Sequence, residues 1–307
     1  MEFGLMTEPQ VGGTYDDLLA AAQWAERSGL VAFARSDHYY GWSRDPKPAA
    51  TDAFATLAGL ARETQSIELT VLVAPFTFRH PAIVAKNATT IDQMSGGRLA
   101  LGVGTGWNEE EHVAFGLPFP SWAERFARLE EGLGYLRACF GDGKFQGTYY
   151  QLDADVVPKP TGRLPIIIGG SGPKKTPELA GKYADEYNVF VSDPASIGAR
   201  VEIVRAAAER AGRDPDSIRV SVMGPITARA SRAEYEAVLA ERAGARNMEV
   251  AELEGRWRSA FVPAGTPEQV SETLAAYEAV GVSRYYVQFV EVPQPAVLDE
   301  AFAAIPR

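Results

Sequence analysis

Short runs of β-branched and aliphatic residues alternate along the chain with longer segments whose apolar positions recur every three or four residues, with turns between them. That alternation predicts parallel strands covered by helices. The apolar runs fall at residues 2–7, 30–36, 67–74, 98–103, 165–168, 186–191, 218–223 and 285–290. Helix starts between them carry capping signals: Thr14 with Asp17, Ser121 with Glu124, Asp193 before Pro194, Ser231 with Glu234, and Thr266 with Gln269. The clearest helix places Phe126, Leu129, Leu133, Leu136 and Phe140 on one face. After it, Gly141-Asp142-Gly143 precedes residues 145–157, which alternate like a hairpin and read as a small insertion after the fourth βα unit. Eight strands separated by helices over 307 residues fit a (β/α)8 TIM barrel formed by residues 1–307 as a single domain, with a doubly wound open sheet as the alternative. In a barrel the chemistry gathers at the C-terminal strand ends, so the residues just after each strand carry the functional question.

Composition narrows the classes. Hydrophobic residues make up 46% and charged residues 23%, as in an ordinary globular protein. The net charge of −10 repels nucleic-acid phosphates and anionic lipid, so neither nucleic acid nor membrane is expected as a partner. No apolar run approaches the roughly 18 residues needed to span a bilayer, the first ten residues lack a basic leader, and the lone Cys139 agrees with a reducing compartment; a cytoplasmic location is expected. Cys139 lies in the clearest helix and reads as a small buried hydrophobe rather than a nucleophile. The three histidines, His38, His80 and His112, show no paired metal-ligand spacing, so no metal is expected.

Three strand ends concentrate polar or flat surface. The second runs into Ser36-Asp37-His38-Tyr39-Tyr40-Gly41-Trp42, where aromatic rings can stack on a planar ligand, Asp37 can orient the imidazole, and His38 can donate or accept a proton near neutral pH. The fourth runs into Gly102-Val103-Gly104-Thr105-Gly106-Trp107-Asn108, whose glycines let backbone approach a ligand; this is not a dinucleotide fingerprint, because Trp107 occupies the place of the third glycine. Glu109 to Glu111 then read as acids at the positive end of a helix. The fifth runs into Gly169-Gly170-Ser171-Gly172-Pro173-Lys174-Lys175-Thr176, an anion cradle ahead of a helix that lacks the order of a nucleotide P-loop. Arg79-His80-Pro81 ends the loop after the third strand, where either side chain faces the site or caps the next helix.

Taken in order, Ser36-Asp37-His38, Phe78-Arg79-His80-Pro81 with Ala85-Lys86, Ile91-Asp92-Gln93-Met94-Ser95-Gly96-Gly97-Arg98-Leu99, Leu101 to Trp107 and the Gly169 to Gly172 loop resemble the bacterial luciferase-like family, in particular its deazaflavin-dependent oxidoreductases. The resemblance covers nearly the whole chain. It implies a barrel whose mouth binds coenzyme F420, or alternatively FMN, against a bulge at Leu72-Val73 that often contains a non-prolyl cis bond. It further implies that Gly169, Gly170, Ser171, Gly172 and Thr176 take the cofactor phosphate. Asp37, His38 and Trp42 match positions that line the ring and substrate, beside Gly104, Thr105 and Gly106; Tyr39, Arg79 and Trp107 would shape the substrate pocket. The family's sugar-phosphate dehydrogenases place a glutamate where this chain has Trp107, which points to a flatter, more apolar substrate. The leading expectation is hydride transfer between F420 and a small organic substrate, with His38 and Asp37 catalytic. The alternatives are a reduced-FMN monooxygenase fed by a separate reductase, and a catalytically idle flavin-binding protein. A homodimer is implied by the family.

Overall fold

The computed structural model describes residues 1–39, 41 and 48–306. Eight parallel strands close into a barrel: β1 (Glu2–Thr7), β2 (Ala32–Arg35), β3 (Glu68–Pro75), β4 (Leu99–Gly104), β7 (Ile166–Gly169), β8 (Glu186–Phe190), β9 (Arg219–Gly224) and β12 (Arg284–Phe289). Each pairs with its neighbours in chain order, and β12 closes against β1 with Thr7 opposite Phe289. The expected open-sheet alternative is thereby excluded. The expected insertion is the antiparallel pair β5 (Lys144–Gln146) and β6 (Gln151–Asp153). A two-residue pair that the apolar pattern does not announce, β10 (Thr227–Ala228) with β11 (Ala264–Gly265), lies outside the barrel.

The helices are α1 (Tyr15–Arg27), α2 (Ala53–Glu63), α3 (Pro81–Ser95), α4 (Glu109–Ala114), α5 (Trp122–Phe140), α6 (Lys175–Tyr183), α7 (Pro194–Arg210), α8 (Arg232–Ala245), α9 (Val250–Ser259), α10 (Pro267–Glu278) and α11 (Pro295–Phe302). Thr14 and Ser231 form complete capping boxes, the Thr266 N–H donates to Gln269 at 3.0 Å, and Ser121 accepts the Glu124 N–H. The main core lies between strands and helices and includes Leu18, Leu57, Leu101, Leu133 and Val222. Cys139 belongs to it, and burial pushes its thiol up to about 11, as a packing residue should behave.

Inside the barrel the side chains alternate in and out with period two. The lumen packs Met6, Ala32, Ala34, Leu72, Ala100, Ile167 and Tyr286. Its N-terminal end is closed by Arg284, which donates to Glu68 at 2.6 Å, to Glu2 at 3.1 Å and to the buried Glu186 at 3.3 Å. These charges fill the lumen at its N-terminal end, and the C-terminal mouth is where barrels of this kind place their chemistry.

Candidate active site at the barrel mouth

Passing round the mouth, the chain presents Glu8 after β1, Ser36 to His38 after β2, a bulge within β3, Gly104 on β4, Gly169 on β7, Phe190 on β8, Met223 on β9 and Gln288 on β12. The bulge lies where the family resemblance puts it. Pairing between β3 and β4 shifts between Val71 and Ala74, and the Leu72–Val73 peptide is cis. Glycines make room for it. A Cβ on Gly102 would stand 2.1 Å from the Val71 carbonyl oxygen, one on Gly104 2.9 Å from the Val73 side chain, and one on Gly169 2.7 Å from it. This stretch of β3, β4 and β7 can therefore present only backbone and Val73 to a ligand.

His38 follows β2, the strand paired with the bulged β3, and its side chain is 16% exposed. Its Nδ1 lies 2.8 Å from Oε2 of Glu111, a fully buried carboxylate at the third position of α4. The other Glu111 oxygen accepts the Tyr39 N–H, and Asn108 Nδ2 donates to Oε2 at 3.3 Å. A carboxylate only accepts, so Nδ1 carries a proton. Trp107 meets the imidazole edge-on at 5.5 Å between ring centroids while remaining 65% exposed.

One expectation for this rim is corrected. Asp37 does not orient the imidazole: its buried carboxylate takes a bidentate pair from Arg79, the Nη2–Oδ1 arm measuring 3.1 Å, because a desolvated charge needs a fixed counter-ion. Burial raises the Asp37 carboxyl above its ordinary range, and Arg79 opposes that rise. Arg79 in turn has further partners. It also binds Asp52, the N-cap of α2, at 2.7 Å, and lies over the rings of Phe54 and Tyr39 at 5.0 and 5.4 Å. Burial pulls its pKa down, but the Asp37 charge more than offsets this and holds it above its usual value. Tyr39 stacks on Phe78 at 4.4 Å. His80 accepts the Ala82 N–H at 3.1 Å and so caps α3 rather than facing the mouth. Trp42 lies outside the described residues.

On the next rim segment the loop from Gly169 folds over Thr176. A Cβ on Gly170 or Gly172 would come within 3.2 and 3.0 Å of the Thr176 side chain, and among the described residues no side-chain cap is made by Lys174 at the start of α6. The first-turn N–H groups of α6 have no partner within the helix, and Thr176 is buried beside them. Ser171 accepts the Phe190 N–H at 3.3 Å, which ties the loop to β8. Lys174 and Lys175 are exposed, with the Lys175 ammonium 5.4 Å from the Phe126 ring. Gly106, with φ at +75° and Thr77 Oγ1 2.6 Å from where a Cβ would sit, turns the chain from Thr105 towards α4.

Sequence reasoning treats Glu111 only as one acid in a helical first turn. The spacing Asn108-x-x-Glu111 is that of a capping box, which aims the third-position side chain back over the helix start. It also misses a chain after β1: Gln288 Nε2 donates to Glu8 Oε1 at 2.7 Å, Gln10 Nε2 to Glu8 Oε2 at 2.6 Å, and Ser36 Oγ to Gln10 Oε1 at 2.6 Å.

Comparison with known proteins agrees with this architecture. The signature of the family described as luciferase-like monooxygenase matches residues 1–284. The F420-dependent glucose-6-phosphate dehydrogenase of Microbacterium testaceum is 35% identical over 191 residues, 61% of this chain and 56% of that protein. The chain therefore matches little more than half the length of that relative. The FMNH2-dependent dimethylsulfone monooxygenase of Pseudomonas putida is 30% identical over 295 residues, 85% of this chain and 79% of that protein. A solved F420-dependent secondary alcohol dehydrogenase, in complex with an F420-acetone adduct, shares the fold with TM-score 0.81 at 22% identity, covering 99% of this chain and 98% of that one. The closed eight-stranded barrel, the bulge in β3 and a signature spanning nearly the whole chain place this protein in the luciferase-like monooxygenase family.

Proposed function

We propose that this chain is an oxidoreductase that transfers a hydride between coenzyme F420 and a small organic substrate, with His38 moving the accompanying proton. The observation that carries the reading is the His38–Glu111 pair: a largely buried imidazole, fixed by a buried carboxylate at 2.8 Å, after the strand that pairs with the bulged β3. The wall of bulge and glycine backbone, with Thr105 and Gly106 next to it, suits a flat ring because no side chain beyond Val73 rises from it. The Gly169 to Gly172 loop, the first turn of α6 and Thr176 suit the phosphate. When bound, the deazaflavin supplies or takes up the hydride without activating oxygen. In this reading His38 takes up the proton of a substrate hydroxyl as its carbon gives up hydride, or returns it in the reverse direction. Glu111 holds the tautomer and stabilises the imidazolium so formed. Asp37 and Arg79 hold Tyr39 and the start of α2 in place around this pair.

A second reading, reduced-FMN monooxygenation with a separate reductase, is supported by the extent of likeness to the dimethylsulfone monooxygenase, 85% of this chain against 61% for the glucose-6-phosphate dehydrogenase. The two separate in one experiment. Purified protein is titrated with F420 and with FMN by fluorescence, then assayed over a substrate panel with and without oxygen. F420 binding with anaerobic turnover is expected; tight FMN binding with substrate-dependent oxygen consumption and no F420 affinity would refute the first reading. Binding of either cofactor without turnover would favour the idle binding protein. A homodimer belongs to this reading on the family resemblance. A cytoplasmic setting belongs to it on the acidic composition and the single buried cysteine; among the described residues, no helix is long and apolar enough to cross a membrane.

A further inference from the structure

Opposite the glycine wall, the lumen face of the mouth is built by β8, β9, β12 and β1. Period-two alternation carries Arg284 and Tyr286, both in the lumen, up to Gln288; Gly4 and Met6 lead in the same way to Glu8. The close approach of Gly4 to the Tyr286 ring, 2.7 Å from where a Cβ would stand, confirms that both strands point these positions inward. Phe190 pairs in register with Met223 beside them, and Phe190 is 44% exposed. The mouth is thus apolar on β8 and β9 and polar on β12 and β1.

The polar part has a fixed direction. Glu8 is buried, and its two oxygens each receive a carboxamide N–H, from Gln288 at 2.7 Å and from Gln10 at 2.6 Å. Because a carboxylate offers no donor, both amides must turn their nitrogens towards it. The Gln10 carbonyl is then occupied by the Ser36 hydroxyl. Among the described residues no protein group donates to Oε1 of Gln288, and Gln288 is half-buried at the mouth. We infer that Gln288, locked by Glu8 with its carbonyl oxygen towards the mouth, selects uncharged substrates that bring a hydroxyl or amine donor, and that the buried Glu8 behind it rejects phosphate esters and carboxylates. This rests on the mouth being the substrate site, as the proposed function has it. A donor on the substrate completes the one acceptor left open; an anion would face a carbonyl dipole with a carboxylate behind it, and neither can turn away without breaking the bonds to Glu8.

The test uses three probes of one shape, cyclohexanol, cyclohexanone and cyclohexanecarboxylate, titrated calorimetrically into the full chain at pH 7. The alcohol should bind about five- to tenfold more tightly than the ketone, the effect of one net hydrogen bond, and the carboxylate should not bind measurably. In Gln288→Leu the alcohol-to-ketone ratio should fall to about one. Glu8→Gln keeps the shape but offers a donor to Gln288, which unlocks its amide, and should also bring the ratio to about one. Equal or reversed preference in the unaltered protein overturns the inference, as does binding of the carboxylate, binding of none of the three, or a ratio unchanged in Glu8→Gln. Neither F420 affinity nor turnover enters these measurements, so failure here leaves the hydride-transfer reading standing, and failure of that reading leaves the binding preference to be judged on its own.

Discussion

Glu111→Gln is the most informative single change at the site. The carboxylate is fully buried, and its partners among the described residues include His38 Nδ1 at 2.8 Å, the Tyr39 N–H, and Asn108 Nδ2 at 3.3 Å. A glutamine of the same shape keeps its carbonyl on the Tyr39 N–H and turns its NH2 towards the imidazole. Nδ1 must then accept, and the proton moves to Nε2, leaving no lone pair for the substrate. A hydrogen bond to a charged acceptor contributes about 1.5–3 kcal/mol, so its removal costs the competent tautomer about one to two powers of ten in population. Loss of the charge that stabilises imidazolium adds to this, and turnover should fall at least about 100-fold. F420 affinity should change by less than about threefold, because Glu111 faces the imidazole rather than the glycine wall. The tautomer can be read directly. The chain has only three histidines, His80 accepting an N–H at the start of α3 and His112 held between the Asn108 carbonyl and Thr77, so imidazole nitrogen-15 spectra can be assigned. Nδ1–H in the unaltered protein and Nε2–H in the variant are expected. A His38 resonance that keeps its Nδ1 proton in Glu111→Gln, or turnover within threefold of the unaltered enzyme, would refute the reasoning.

Two further outcomes follow from charges elsewhere. Arg79→Met leaves Asp37 buried without its counter-ion and should cost about 3–5 kcal/mol in urea unfolding at pH 7, with Asp37→Asn in the same chain recovering much of the loss. The sign with pH is set by the direction of the Asp37 shift: a carboxyl raised by burial holds a proton in the folded state that the unfolded chain has released, so the variant's stability should fall as pH rises above about 4 and recover as it is lowered. Glu26 behaves in the opposite sense. Burial opposes its ionisation, but its Oε1 accepts the N–H groups of Gln65, Ser66 and Ile67 ahead of β3, and the net effect holds the carboxyl below its usual range. Its stabilisation is present above about pH 4.5 and lost as pH falls through the lowered value; thermal melts from pH 7 to 3 should steepen in the unaltered protein and flatten in Glu26→Gln.

Much of the scaffold is legible in the chain itself. All eight barrel strands lie within two residues of the apolar runs, and the capping residues mark the starts of α1, α5, α7, α8 and α10, because periodicity and caps are interactions within a few residues. The fourth-strand glycines also signal close backbone approach, and they are where β4 yields to the β3 bulge. What periodicity does not announce is the bulge, since residues 71–75 are apolar throughout; the family resemblance locates it, and the register shift shows it.

Partnership at the site was decided only by closure of the barrel. Asp37 stands next to His38 in the chain, yet adjacent residues on an extended segment point to opposite sides. Asp37 therefore meets Arg79, 42 residues away, and His38 meets Glu111, 73 residues away. Gln288 reaches Glu8 across 280 residues because β12 pairs with β1. The sequence by itself determined the strand and helix succession, the likeness to a family, and which residue types crowd the strand ends. Tertiary structure alone decided which carboxylate holds the imidazole, which carboxylates hold the Arg79 guanidinium, and which carboxylate takes the Gln288 amide, because those choices depend on burial and on neighbours that only the closed sheet brings together.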